Sequence, residues 1–346
     1  MVISDRKPME EILGFLKDAK KIILVGCNQC AAASKTGGEP ELEEMKALLE
    51  AEGKEVTGIL LPDTACNLLL GKKELKSLKR NHDHQEYMWK GDPAFWGRTS
   101  PVLFPFVGGV NQKKYRVDGK EYAMNQHGFA RDMEFSLISQ AKEEIWFELH
   151  SNEETLQKYP YAFVLKLGYK LKGNSVEVCW QVENPSDKTM FFAIGGHPAF
   201  NCPVKENTKQ TDYVLRFDEK QQVVSTKINK DGMATGSSTV YELQDGILPV
   251  TGNLFDDDAL VIEHHQAQEV ALCYADGTPY LTVRMDAPLF GIWSPPKKNA
   301  PFICIEPWYG RCDSEGYEGE LKDRAWENEL PGSGIWTASY FIEIEI

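Results

Sequence analysis

Val176-Glu-Val-Cys-Trp-Gln-Val-Glu183 places Val176, Val178, Trp180 and Val182 on one side of an extended chain and Glu177, Cys179, Gln181 and Glu183 on the other. Successive strand side chains point to opposite faces, so this period of two reads as a β-strand with one face in a core. The pattern holds on either side of that stretch. Short strand-like runs recur from about Lys73 to Ile346, separated by turn dipeptides such as Asp118-Gly119 and Gly173-Asn174, and helical periodicity is nearly absent. The expected fold is mainly β: a large antiparallel sandwich or super-sandwich over residues 71–346, with function on concave faces and loops.

Upstream the period changes. Met9, Ile12, Leu13 and Leu16 share a helical face, Lys21-Ile-Ile-Leu-Val-Gly26 reads as a buried strand, Leu42, Met45, Leu48 and Leu49 mark a second amphipathic helix stopping at Gly53, and Val56–Leu61 reads as a second strand. Residues 1–70 are therefore expected to form a small α/β module. Its Gly26 to Gly38 loop falls at the carboxyl end of the first strand, where α/β sheets usually bind ligands.

The chain has 346 residues and a formal net charge of -14. That acidity, with no long Lys/Arg run, argues against nucleic acid or an anionic membrane as partner and favours simple solubility. The N-terminal Met-Val-Ile-Ser-Asp-Arg-Lys-Pro lacks the apolar region of a signal peptide, and no stretch is apolar for long enough to cross a bilayer. The eight cysteines are scattered rather than spaced as a framework, which fits reduced thiols. A cytoplasmic location is expected. Oligomeric state is not legible.

Three stretches carry the chemistry: Gln126-His-Gly-Phe-Ala-Arg-Asp132, Gly195-Gly-His-Pro-Ala-Phe-Asn201 and Cys304-Ile-Glu-Pro-Trp-Tyr-Gly310. Each sets a titratable group in an apolar or glycine-rich segment, where an ionised side chain without a role or a partner is costly to bury. Proline follows both His197 and Glu306, holding the preceding backbone extended and helping to aim those side chains. Gly195 and Gly196 are expected to let backbone approach a ligand closely. His82, His84, His264 and His265 read as solvated loop histidines.

At this point a resemblance becomes specific. Glu86-Tyr-Met-Trp-Lys-Gly-Asp-Pro-Ala-Phe-Trp96, Pro101-Val-Leu-Phe-Pro-Phe-Val-Gly108, Gln126–Asp132, Gly196-His-Pro-Ala-Phe200, Phe290-Gly-Ile-Trp-Ser294 and Ile303–Gly310 occur in the order found in the aldose 1-epimerase (galactose mutarotase-like) superfamily. The chain most resembles the bacterial LacX-like branch. The resemblance implies interconversion of the α and β anomers of a free aldose, with no cofactor and no metal. Glu306 is then implied as base and His197 as acid. His127 and Arg131 are implied as sugar contacts, with Arg98 and Asp258 as further substrate-binding candidates and Trp293 and Trp308 as stacking surfaces. Alternatives on the same scaffold are a non-catalytic sugar-binding or sugar-sensing protein and a hexose-6-phosphate 1-epimerase.

Residues 20–39, with Cys27-Asn-Gln-Cys30 followed by Gly37-Gly-Glu39, resemble the C-terminal domain family of methylenetetrahydrofolate reductases and MetV-type proteins. Ser34 stands where that family has a third cysteine. Cys27, Cys30 and Cys66 offer at most three thiolates, short of the usual four for a closed zinc or cluster site, so free thiols are expected. LacX-like chains open with a strand pair before a Gly-Ala-Glu-Leu-x-Ser-Leu segment, whose tail Gly71-Lys-Lys-Glu-Leu-Lys-Ser-Leu78 resembles. Either the sandwich is left with an open edge, or residues 55–70 fill the gap.

Overall fold

The computed structural model describes residues 9–17, 19–25, 38–60, 73–80, 83 and 85–345. The chain divides into two units, Met1–Lys72 and Lys73–Ile346.

In the first unit, helix Met9–Phe15 leads to strand Lys21–Val25, and helix Glu39–Ala51 leads to strand Glu55–Leu60. The two strands pair in parallel, as a β-α-β connection requires. Leu49, 1% exposed, anchors the second helix. That helix ends before Gly53, whose φ of +76° suits a residue without a Cβ. The Lys54 ammonium donates to the carbonyl oxygens of Leu16 at 2.6 Å and Ala19 at 2.9 Å, satisfying acceptors left open at the end of the first helix. Glu55–Leu60 pairs with Lys21–Val25 in a two-stranded sheet, and residues 61–70 lie outside the described residues.

The second unit is built on two large sheets in which every described ladder is antiparallel. The nine-stranded sheet runs in the spatial order Ile247–Pro249, Tyr213–Phe217, Glu269–Tyr274, Pro279–Met285, Ile335–Ile344, Ser175–Glu183, Val164–Lys172, Glu144–His150, Ser136–Gln140. The eight-stranded sheet carries the site. Its order is Ala234–Glu242, Gln222–Ile228, Leu260–Glu263, Leu289–Trp293, Phe302–Tyr309, Ile194–Gly196, Val102–Leu103, with Ala199–Asn201 also paired to Phe302–Tyr309.

Strand Ser175–Glu183 lies where its alternation placed it. Val176, Val178, Trp180 and Val182 are at most 4% exposed and pack with Leu165, Leu167, Tyr340 and Ile342 in the main core. Glu177, Gln181 and Glu183 face the partly wet side, where Cys179 is also covered. The two-residue turns have the backbone that their sequences predict, with positive φ at Asp118, Gly119 and Gly173.

Among the described residues, one end of the nine-stranded sheet has no further strand paired to it. All five residues of Ser136–Gln140 are exposed, including Leu137 and Ile138.

Candidate active site

Glu306 lies in the middle of strand Phe302–Tyr309, opposite Gly291 on one neighbouring strand. Two residues on, Trp308 lies opposite Gly195 on the other neighbour. These glycines have a steric cause: a Cβ on Gly291 would stand 2.4 Å from Trp308 Cη2, and one on Gly195 2.6 Å from Trp308 Cδ1. The indole lies across both neighbouring strands, and only residues without side chains leave it room. Gly196 likewise faces the Tyr340 hydroxyl, at 2.8 Å from a built Cβ. The glycine pair before His197 therefore makes way for core aromatics, where the sequence suggested backbone approach to a ligand.

His197 follows strand Ile194–Gly196, and its backbone N–H donates to the Pro101 carbonyl at 3.0 Å. Its Nε2 lies 3.3 Å from Glu306 Oε1. The Trp96 ring stacks on the imidazole at 4.6 Å between centroids and 25° between planes, while Trp293 meets it edge-on at 5.5 Å. Glu306 Oε2, His197 Nδ1 and the Trp308 indole nitrogen are buried without a hydrogen-bond partner among the described residues. Such atoms are rare in a finished core and mark a place where a polar guest belongs.

Burial sets the charge of the pair. It raises the Glu306 carboxyl well above the usual carboxylate range, against the nearby Trp308 indole N–H, which falls short of a full hydrogen bond but favours the charged form, and with Asp258 adding repulsion. It lowers His197 to about 3, with Arg131 adding repulsion. Burial thus drives both groups towards neutrality, which favours the carboxyl as the holder of the proton they share.

His127 stands 5.7 Å from His197, ring to ring. Its backbone N–H donates to the Gly108 carbonyl at 2.8 Å and its Nδ1 accepts from the Gly108 N–H at 3.1 Å. Burial, then His197, lowers its pKa well below the ordinary histidine value. Neutral, and accepting at Nδ1, it carries its proton on Nε2 as a donor. The local backbone is demanding: His127 has φ +65° and Gly128 φ +68°, and a Cβ on Gly128 would fall 2.2 Å from the Phe104 carbonyl oxygen.

These groups line one cavity of about 300 Å³, within the range of small-molecule sites. Trp96, His127, Arg131, His197, Asp258, Trp293, Glu306 and Trp308 all reach it, joined by Gln126. Arg131 also donates to the Gln126 carbonyl at 2.8 Å. Asp258, held at φ +78° with its carboxylate accepting from the Ala259 N–H at 2.8 Å, resolves the register among the three consecutive aspartates. Arg98 is not brought into the wall: it donates to Asp132 at 2.6 Å. Trp96 was part of a quoted motif without a role. The two aromatic residues preceding Gly97, Phe95 and Trp96, were its one local signal. His264 and His265 are exposed, whereas His82 and His84 lie outside the described residues.

The ligand-type atoms of His197, Cys304 and Glu306 lie within 4.8 Å of one another. Burial holds the Cys304 thiol and the Glu306 carboxyl protonated, so a cation there would have to expel two protons in apolar surroundings. The trio fits an acid/base site better than a metal site. Cys27, Cys30 and Cys66 lie outside the described residues.

Among the described residues no helix is long and apolar enough to cross a membrane. Comparison with known proteins agrees with the fold. The family model described as aldose 1-epimerase matches residues 74–320. The chromosomal protein LacX of Lactococcus lactis subsp. lactis is 34% identical over 266 residues, spanning 72% of this chain and 86% of that protein. The structure of a galactose mutarotase related enzyme from Lactobacillus acidophilus superposes with a TM-score of 0.75 at 34% identity, covering 80% of this chain and 92% of that one. A galactose mutarotase-like protein from Lactobacillus casei gives a TM-score of 0.73 at 32% identity, covering 80% and 95%. With a family model matched over most of its length and relatives about a third identical over the aligned residues, the chain belongs to the aldose 1-epimerase family.

Proposed function

We propose that the protein is a mutarotase, interconverting the α and β anomers of a free aldose by acid/base ring opening and reclosure. One observation carries the reading: an imidazole and a carboxyl 3.3 Å apart, each with an unpartnered second polar atom, at the wall of a sugar-sized aromatic cavity. Binding alone does not call for such a pair.

Ring opening takes a proton from the anomeric hydroxyl and gives one to the ring oxygen. Glu306 and His197 together hold one proton, which is what the step exchanges. Burial favours that proton on Glu306; a sugar hydroxyl donating to the carboxylate stabilises its ionised form and moves the proton to His197. Glu306 then accepts from the anomeric hydroxyl while His197 donates to the ring oxygen. Rotation about the C1–C2 bond presents the other carbonyl face, and reclosure runs with the roles reversed. His127 Nε2–H and Arg131 donate to sugar oxygens, and the tryptophans cover the apolar faces of the ring. No step needs a cofactor.

Beside the His197–Glu306 pair, the described wall sets one cation, Arg131, against one further acid, Asp258. That balance suits an uncharged sugar better than a phosphorylated one, for which clustered basic groups are needed. The test is polarimetric or NMR relaxation of freshly dissolved α-glucose, α-galactose and α-glucose 6-phosphate. Acceleration of the free sugars supports the reading; saturable binding without acceleration assigns a sugar-binding role instead.

A further inference from the structure

The segment that carries His127 and Arg131 belongs to neither large sheet, yet it is held at two points. Its first half is tied to the Phe104–Gly108 stretch. The N–H groups of Phe129 and Ala130 both donate to the Phe104 carbonyl at 3.1 Å, and His127 exchanges its two bonds with Gly108. The second half is tied by a side chain. The Lys73 ammonium donates to the Arg131 carbonyl at 2.9 Å and the Met133 carbonyl at 2.7 Å, and lies 5.1 Å from the centre of the Phe135 ring.

Lys73 is 5% exposed, which is unusual for lysine unless its charge has a task. Its backbone is anchored as well. The Lys73 carbonyl accepts from the hydroxyl of Tyr169, in strand Val164–Lys172 of the nine-stranded sheet. Nearby, the Leu75 carbonyl accepts from the Ser100 hydroxyl at 2.7 Å. A long side chain thus runs from a fixed point on a rigid sheet to the loop on which two sugar-facing groups sit.

We propose that Lys73 is a positioning residue for substrate binding, clamping the backbone at Arg131 and Met133 so that His127 and Arg131 are held at the height the sugar requires. The inference rests on the sugar-binding reading of that loop. Lys73 touches no substrate; it acts through the two carbonyls. Glu74 and Asp132 face its ammonium with opposite charge and Arg98 and Lys76 with like charge, and burial dominates, lowering its pKa to about 8. Above that pH a neutral amine, a weaker donor, replaces the ammonium.

The test compares Lys73→Met and Lys73→Arg in the full chain. Methionine keeps the stem and loses the clamp, so KM for the best aldose rises about tenfold, the size expected for lost charge-assisted hydrogen bonds, while kcat stays within about threefold. Arginine restores KM at neutral pH. It also keeps KM low at pH 9, where the wild type drifts upward, because a guanidinium remains charged. Amide hydrogen exchange of residues 129–135 in the free protein rises in the methionine variant, with strand Ser175–Glu183 unchanged. That measurement does not require turnover, so a failure of the mutarotase reading and a failure of the clamp are distinguishable. Unchanged exchange, or a fall in kcat at constant KM, overturns the proposal. If the methionine variant does not fold, Lys73→Gln takes its place, and unchanged exchange of residues 129–135 in that variant overturns the proposal equally.

Discussion

Replacing Glu306 with glutamine should remove most turnover and at the same time make the protein more stable. Glutamine has the same shape and lacks the exchangeable proton. The carboxyl is 1% exposed, so no bulk water stands ready to act as base in its place. General acid/base catalysis is worth about 10²–10⁴-fold, so kcat should fall by that factor, or about 2.7–5.4 kcal/mol in the barrier. The stability effect follows from the raised pKa. The folded protein holds a proton on Glu306 over a pH range in which the unfolded chain has released it. Stability from this group is therefore full below the ordinary carboxyl pKa and is lost as pH rises through the folded value. Glutamine does not titrate, so the melting midpoint of Glu306→Gln should exceed that of the wild type by a margin that widens as pH rises above 4.5. Each kcal/mol recovered moves the midpoint by about 2 °C in a domain of this size. Polarimetry on α-galactose and calorimetry at pH 5 and pH 7.5 measure the two effects. Activity retained within threefold would refute the base assignment. A midpoint lower than wild type, by more at pH 7.5 than at pH 5, would show instead that the carboxylate is a satisfied structural ion.

Other expectations follow from the same geometry. His127→Ala removes one donor to the sugar and should reduce kcat/KM about tenfold, measured on the same sugars; an unchanged value would make His127 a purely structural bridge to Gly108. Gly291→Ala drives a methyl to within 2.4 Å of the Trp308 indole and should cost about 1–3 kcal/mol of overpacking, read as a lower melting midpoint and a higher KM. The pH profile of kcat/KM should show no inflection near 6.5 from His197, which is lowered to about 3, and none near 4.3 from Glu306, which is raised. A bell with limbs at those two ordinary values would mean that neither group is desolvated as the structure places it.

The parts of this molecule that could be read in its sequence are those whose cause is local. Alternation at Val176–Glu183 depends only on strand geometry, and the helix and strand periods upstream of Gly53 depend only on neighbours three or four residues away. The pairing of His197 with Glu306 came through family resemblance, since over a hundred residues separate them. What stayed hidden depends on which strands lie side by side. Gly195 and Gly291 are glycines because Trp308 crosses both, a relation visible only once Phe302–Tyr309 sits between their strands. Arg98 looked like a sugar contact, and nothing in sequence announced that Asp132 would hold it outside the wall. Trp96 stacks on His197 across a separation of about a hundred residues, which no local pattern marks.

The open edge at Ser136–Gln140 bears on how molecules of this protein meet each other. An edge strand with no outer partner among the described residues offers a row of donors and acceptors to any extended chain; this one has neither proline nor charge to discourage the encounter, and its two exposed aliphatic side chains favour it. Two copies brought together antiparallel through this strand would extend one nine-stranded sheet into the next about a two-fold axis. The register shift between Leu137 and Ser139 works against a long match, because a bulged strand twists away from a straight partner. Growth beyond a pair is also blocked, since each copy's far edge is the three-residue strand Ile247–Pro249 with a proline in it. Association through this face should stop at a pair, leaving soluble dimers in place of fibres.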